Sequence, residues 1–560
     1  MFCEFWRRVK YSIKLDVKND ASTPKSILTY PNASVGVWWI DPALRPLNFR
    51  VGILFLAAVA NGYSSSLITG LMIIQSWRVL FGITIDHYNP KLISFTIAAL
   101  VFGGVPFFIA ASYISDRLGR RFCLCIGIWI MLVGSIAQCI AKGIEAFIVC
   151  RVMIGIGLAF NQISAPTLVI ETAHPRHREE MIVLYNVFWY FGAALAAIAS
   201  LVALKTHAAD DWGWRIPCIV QVVIPFIQLI TFPLVLESPR YLVAAGRRIA
   251  AEAMLYKYHS VIRRKDSQAI DPLVEEEIRR MSQAITQERN LLAAKKAANP
   301  SYSVWREFLS GNRNRHRTFI CIIVGIMIQL TGNGVISFYL FPMLNSVGVS
   351  SHLVAAAINV GLQFYNLFWG SMGAHFSLKY GRRALWLTSA IGMFLSMIGL
   401  GASAATYLGE FHDTGRKSVV HGGIQIALIF IFYGFYSIGF TPLQVGYVEE
   451  VLPYHLRAKG VALNWFVVFL VGGGTQIANA YGLVKLTWRL YFIYTSLLAL
   501  WNAVIYFTFP ETKGFSCLED IPKLLFQDPE YTVNQGIATD GGLQANDIPT
   551  AGPSNTREPT

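Results

Sequence analysis

The chain has 560 residues, 54% of them hydrophobic and only 14% charged, with a formal net charge of +14 at pH 7. A soluble domain usually carries about 25% charge, so this composition excludes an ordinary soluble domain and points to helices packed in lipid. The basic excess does not point to nucleic acid, because Lys and Arg lie between apolar runs, as in the cytoplasmic loops of membrane proteins.

Residues 1–50 are polar and mixed. No secretory leader is expected there, and the first apolar segment would itself direct insertion. The sequon Asn32-Ala33-Ser34 then falls in a cytosolic tail and is silent. A helix needs about 20 apolar residues to cross the hydrocarbon core. Six such runs follow, at about 51–75, 93–115, 121–141, 147–170, 181–204 and 216–236, within a first bundle spanning 51–239. The stretch 240–317 is polar and includes Glu275-Glu276-Glu277-Ile278-Arg279-Arg280. It should form short amphipathic helices on the membrane surface or against the bundle. Six more runs, at about 318–343, 352–375, 384–404, 421–446, 459–482 and 487–509, make a second bundle over 318–510. The tail 511–560 turns rich in Gly, Pro, Asn, Asp and Thr after about 525, a composition that favours disorder. The fold class expected is an all-α membrane protein of twelve transmembrane helices in two six-helix pseudo-symmetric halves.

Both halves carry the same charged parts in the same order. The first has Asp116, Arg117, Gly119, Arg120 and Arg121, then Glu171 with Arg178 seven residues on, then Glu237-Ser238. The second has Gly381, Arg382 and Arg383, then Glu450 with Arg457 seven residues on, then Glu511-Thr512. Each set sits at helix ends, where acids from one end can meet arginines from another. Such clasps would close one face of the bundle and break when the halves rock; the alternative is a set of static anchors. The basic residues of the 2–3, 4–5, 8–9 and 10–11 connections place both termini and the central link in the cytosol. A cellular plasma membrane is the expected location, with the lipid bilayer as the surrounding partner.

Cys123, Cys125, Cys139, Cys150, Cys218 and Cys321 lie in or at apolar segments, so neither a disulfide framework nor a metal site is expected. Gly155-Ile156-Gly157 sits inside an apolar run and reads as a helix-packing pair, not a phosphate cradle. With no nucleotide loop, metal cluster or nucleophile elbow, no enzyme activity, cofactor or metal is expected, and no nucleic-acid or obligate protein partner.

The string Ser112-Tyr113-Ile114-Ser115-Asp116-Arg117-Leu118-Gly119-Arg120-Arg121 resembles the 2–3 loop motif of the major facilitator superfamily. Pro166 to Arg178, Glu237-Ser238-Pro239-Arg240-Tyr241-Leu242 and Pro510-Glu511-Thr512-Lys513-Gly514 are similar to signatures of its sugar porter family. Asn61-Gly62-Tyr63, Gln329-Leu330-Thr331-Gly332-Asn333-Gly334 and Tyr454 to Gly460 resemble the fungal lactose permease, cellodextrin and hexose transporter branch. The resemblance covers about 45–525 and departs from the pattern in places. Ser112 replaces the usual glycine, Leu378 stands where an Asp would sit, and Glu179 follows Arg178 in place of a glycine.

A sugar site needs paired donors and acceptors, which amides supply in one side chain. The spans hold many amides, each of which could instead be interhelical glue. The resemblance implies sugar contacts at Gln329, Asn333 and Tyr339 on the seventh span and at Asn186 on the fifth, with Gln444 and Asn464 as further candidates. Val445 stands where the family has a tryptophan platform on the tenth span.

Proton-coupled relatives read Gly-Tyr-Asp on the first span, whereas this chain reads Gly62-Tyr63-Ser64, with no Asp or Glu from 51 to 85. Arg151 on the fourth span resembles the partner of that missing Asp. A lone arginine in the membrane is expensive, and a serine cannot change charge. Proton coupling through this position is therefore not expected. The reading is a carrier of a hexose, disaccharide or similar polyol that works by alternating access. The alternatives are a same-fold exporter of another small metabolite from a biosynthetic pathway, or a non-transporting sugar sensor.

Overall fold

The computed structural model describes residues 44–80, 90–175, 177–207, 210–260, 271–298, 303–346, 351–414, 419–452 and 454–512. Among them twelve helices are long and apolar enough to cross a membrane. The first six spans are Arg45–Leu71, Leu92–Leu118, Arg120–Cys139, Ile144–Thr172, Glu180–Thr206 and Trp212–Leu234. The second six are Gly311–Ser337, His352–Ser377, Arg382–Tyr407, Val420–Val451, Leu456–Leu483 and Arg489–Thr508. Every expected apolar run is a span, but edges move. The first begins at Arg45 rather than 51, and the seventh at Gly311 rather than 318, because helix continues past the apolar run into polar residues that face the aqueous boundary.

Two spans are interrupted. The second breaks after Gly104 and resumes at Phe107, where Pro106 lacks an N–H and clashes with the preceding turn. The seventh ends its first helix at Gln329 and restarts at Asn333. Backbone groups freed inside a bilayer need partners from the protein. The Trp501 indole N–H donates to the Leu330 carbonyl at 3.1 Å, and the Tyr433 hydroxyl donates to the Asn333 carbonyl at 3.0 Å.

The halves meet along two seams, span 5 on span 8 and span 2 on span 11. Aromatic rings fill the second seam: Phe108 stacks on Trp465 at 6.4 Å and meets Phe469 edge-on at 4.7 Å. The Gly155 reading holds. A Cβ there would lie 1.9 Å from the Leu100 carbonyl oxygen, so only glycine lets spans 2 and 4 approach.

The link contains helices Pro239–Ala244, Arg248–Tyr258, Pro272–Ala298 and Val304–Glu307. One of them runs 27 residues, longer than the short helices expected. The link docks on the bundle, and its own small core is Leu255, Val274 and Ile278. The 2–3 and 8–9 turns share one face with the link, the clasp face; the opposite one is the far face. Of the N-terminal and C-terminal tails of the sequence reading, residues 1–43 and 513–560 lie outside the described residues.

Candidate functional site

Each clasp starts from a glycine. Gly119 and Gly381 have φ of +104° and +96°, values that essentially only glycine adopts at low cost. A Cβ would also strike a carboxylate, lying 2.8 Å from Glu237 and 2.7 Å from Glu511. Those carboxylates hold the N-termini of the next spans. Glu237 accepts from the Arg121 amide at 3.2 Å. Glu511 accepts from the Arg382 and Arg383 amides at 2.9 and 3.1 Å. An acid at a helix N-terminus meets unsatisfied N–H groups and the positive end of the helix dipole.

The arginines fan out from these turns. Arg120 reaches Glu171 at 3.3 Å and Asp116 at 3.5 Å. Arg382 meets Glu450 through two nitrogens, at 3.0 and 3.2 Å, and Thr512 donates to the same carboxylate. Arg121 lies over Phe232 and Arg383 over Tyr506. Arg117 lies 4.4 Å over Tyr113. Arg178 leaves the clasp and pairs with Glu277 of the link at 3.2 Å. Its counterpart Arg457 donates to the Glu449 carbonyl at 3.1 Å. The contacts just given stay within one half or run to the link.

Between the halves on the clasp face lies a cavity of about 460 Å³. Asp116, Arg120 and Glu171 line it from the first half, Arg240 and Arg289 from the link, and Arg457 and Lys459 from the second half. On the far face the halves touch. The Thr69 hydroxyl donates to the Ser337 carbonyl at 2.8 Å. Arg78 meets the His352 Nε2 at 2.8 Å and lies 5.2 Å over Phe341. The structure is therefore latched on one side and hollow on the other.

The amides divide into bonded and available. Asn464 donates to the Cys321 carbonyl at 2.7 Å, and Asn161 to the Met131 sulfur at 3.0 Å; both tie helices together. Asn333 flanks the seventh-span break, half-buried; its side chain hydrogen-bonds Tyr436, and its Oδ1 has no hydrogen-bond partner among the described residues. The Nδ2 of half-buried Asn186 is likewise unmatched. Half-buried Gln329 lies against Gly472 of span 11. Gln444 is half-buried on the tenth span. Tyr339 is on the second helix of the seventh span, and its side chain lies outside the described residues. Val445 is buried in the core.

Arg151 is fully buried, and one of its terminal nitrogens donates to the Ser64 carbonyl at 2.8 Å. The Gln221 amide donates to the Ser64 hydroxyl at 2.9 Å. No carboxylate takes the place of the missing acid in these contacts. The sequence reading missed Gln221, as it missed Tyr433 and Trp501. Their membership in the spans was visible; their partners, far away in sequence, were not.

A second buried polar cluster docks the link. His259 meets Glu277 at 2.8 Å and the Thr172 carbonyl at 3.2 Å. His174 packs against His259, with ring centroids 5.7 Å apart. Burial alone would raise the Glu277 carboxyl, but His259, Arg178 and His174 outweigh it and hold it down at about 2. Burial, with the neighbouring His259, pushes His174 down to about 3. The six cysteines of the sequence reading are free thiols.

A protein-family model described as "Sugar (and other) transporter" matches residues 51–525. Among curated proteins, the chain is 25% identical over 484 residues to the MFS-type transporter oryC of Aspergillus oryzae, covering 85% of this chain and 84% of that one. It is 26% identical to Sugar transport protein 14 of Arabidopsis thaliana, covering 76% and 79%. It is 25% identical to the high-affinity glucose transporter ght2 of Schizosaccharomyces pombe, covering 86% and 88%. Among solved structures, the proton:xylose symporter XylE bound to 6-bromo-6-deoxy-D-glucose superposes with a TM-score of 0.69 at 19% identity, covering 85% of this chain and 98% of that one. The inward-open xylose transporter XylE from E. coli gives 0.64 at 18% identity, covering 85% and 99%. These structures share the major facilitator fold.

Proposed function

Because the chain belongs to the sugar (and other) transporter family of the major facilitator superfamily, we propose that it carries a sugar or similar polyhydroxylated small molecule by alternating access, with no proton passing through the first span. The observation that carries this is the seventh span. Its break puts Gln329 and Asn333 beside unwound backbone between the halves, and discontinuous helices at a repeat interface are where such carriers build their sites. Asn186 supplies an unmatched donor from the facing half, and Tyr339 and Gln444 complete the proposed contact set. Asn464, whose amide is already bonded, is the weakest member.

The proton argument rests on Ser64. It has no titratable group, and the contacts of Arg151 and Gln221 around it are neutral. The clasp face is proposed to be cytosolic, on the Lys and Arg excess of its loops, and the membrane to be the plasma membrane. In that orientation the structure faces inward, with Thr69, Arg78 and His352 as the outer latch and the Arg120 and Arg382 clasps as the inner gate. A same-fold exporter of another small metabolite is the second reading, favoured by the burial of Val445 where a stacking ring would serve a pyranose.

Proteoliposomes loaded with a pH dye test this directly. Hexose or disaccharide uptake should run down its gradient with no change in internal pH. Acidification in step with uptake would overturn the uncoupled reading. Uptake of no sugar, with exchange of another metabolite, would favour the second.

A further inference from the structure

Among the described residues, the middle of the first half holds one cation with no counter-charge. Among its six spans, Asp and Glu occur only at helix ends, as Asp116, Glu145, Glu171 and Glu180. Arg151 lies deep in the fourth span and is fully buried. A guanidinium stays protonated in proteins, and an uncompensated buried charge is costly. The Ser64 carbonyl satisfies one of its nitrogens. Its Nε and Nη2 are buried with no hydrogen-bond partner among the described residues.

Ser64 adds to this donor set. Its oxygen already accepts from Gln221, so its own proton remains to be donated. Three guanidinium N–H groups on two nitrogens and one hydroxyl, in neutral surroundings, make a charge-assisted site for one oxyanion or halide. A single guanidinium balances a single negative charge; a dianion would leave one charge buried and unpaired.

We infer that Arg151 and Ser64 form a binding site for a monovalent anion, taken up when the first half opens. The inference rests on the carrier reading, since alternating access is what would expose a site this deep. The anion has two possible sources of the same chemistry. It is either a carboxylate borne by the sugar-like substrate, as in a sugar acid, or a free small anion held beside a neutral sugar.

The test is thermal unfolding of the full-length protein in detergent at constant ionic strength, with chloride, acetate, gluconate and glucuronate titrated against a bulky sulfonate. Glucose serves as the neutral reference. The expected result is a saturable rise of several degrees with a monovalent anion in the wild type. The rise should be lost in Ser64→Asp, which supplies the carboxylate internally, and in Arg151→Gln. Should Arg151→Gln fail to fold, Ser64→Asp decides alone. A sugar acid that outperforms both glucose and acetate assigns the charge to the substrate. Acetate or chloride that acts equally, and adds to glucose, assigns it to a free anion. No anion dependence in the wild type, or an undiminished response in Ser64→Asp, overturns the inference. Neutral-sugar uptake measured on the same protein keeps the two readings apart: uptake with no anion response sinks the site and leaves the carrier standing.

Discussion

The two clasps share a blueprint and differ in tightness. In the second half, Arg382 and Glu450 are each about 10% exposed at the side chain, and Arg382 takes one carboxylate oxygen with two nitrogens. In the first half, Arg120 and Glu171 are almost as buried, at 12% and 11%, but Arg120 divides itself between Glu171 and an Asp116 that is 41% exposed. Leu378 stands where the second half would have matched Asp116. An arginine set on one buried acid is the tighter joint, whereas an arginine shared between two acids at a cavity wall can exchange partners. The duplicated parts therefore differ in how they hold their arginine, and within the proposed inner gate the first-half clasp is the part able to exchange partners.

That difference is broken most directly by deleting one acid from each side. Glu450→Gln leaves Arg382 buried without its counter-charge and should cost about 3–5 kcal/mol. Glu171→Gln leaves Arg120 with Asp116 as a second acid and should cost less, about 1–3 kcal/mol. Chemical denaturation or thermal melting of the purified variants gives the ranking. Equal losses would mean that both clasps are anchors.

The turn glycines sharpen the comparison at a smaller scale. Gly119→Ala and Gly381→Ala each force an L-residue into a backbone region costing about 1–3 kcal/mol and press a methyl against Glu237 or Glu511. The backbone penalty is common to both. Glu511 accepts from two helix-start amides, where Glu237 accepts from one across its turn. Displacing Glu511 should therefore cost more. Melting temperatures for the two alanine variants should fall in that order, and the reverse order would place the tighter joint in the first half.

Much of this architecture was legible before any coordinates. Twelve apolar runs, the Gly119 and Gly381 turns and the missing acid beside Arg151 are local facts, set by hydropathy and by what glycine and serine can do. The helix break at Leu330–Gly332 was not legible, although its residues were singled out. Its stability depends on Trp501 and Tyr433, which arrive from the twelfth and tenth spans to cap the freed carbonyls. Nor could spacing tell an amide that binds solute from one that binds helix: Asn464 is spent on Cys321 only because span 11 lies beside span 7. Arg178 was expected in a clasp and serves the link instead, since Glu277 comes to it from a helix ninety-odd residues away in sequence.

That last difference yields the smallest and most local effect. Arg178 joins a buried cluster of Glu277, His259, His174 and His177, with Glu180 beside His177. Arg457, its counterpart, donates to the Glu449 carbonyl at the end of the tenth span. His174 is held down at about 3, against about 6.5 for a free imidazole. Its neutral form is thus the docked form, and its contribution is complete above about pH 6.5 and drains away as pH falls toward 3. Glu277, held at about 2 against about 4.3 when free, loses its share only below that higher value. Between pH 7 and pH 5.5 the His174 contribution is therefore in play and that of Glu277 is not. Hydrogen exchange in 272–298, corrected for its intrinsic pH dependence, should quicken over that interval, while 454–485 in the second half stays unchanged. His174→Gln should flatten the response. A link that loosens no more than the second half would mean that the buried imidazole does not govern docking, and the asymmetry between the halves would end at the clasps.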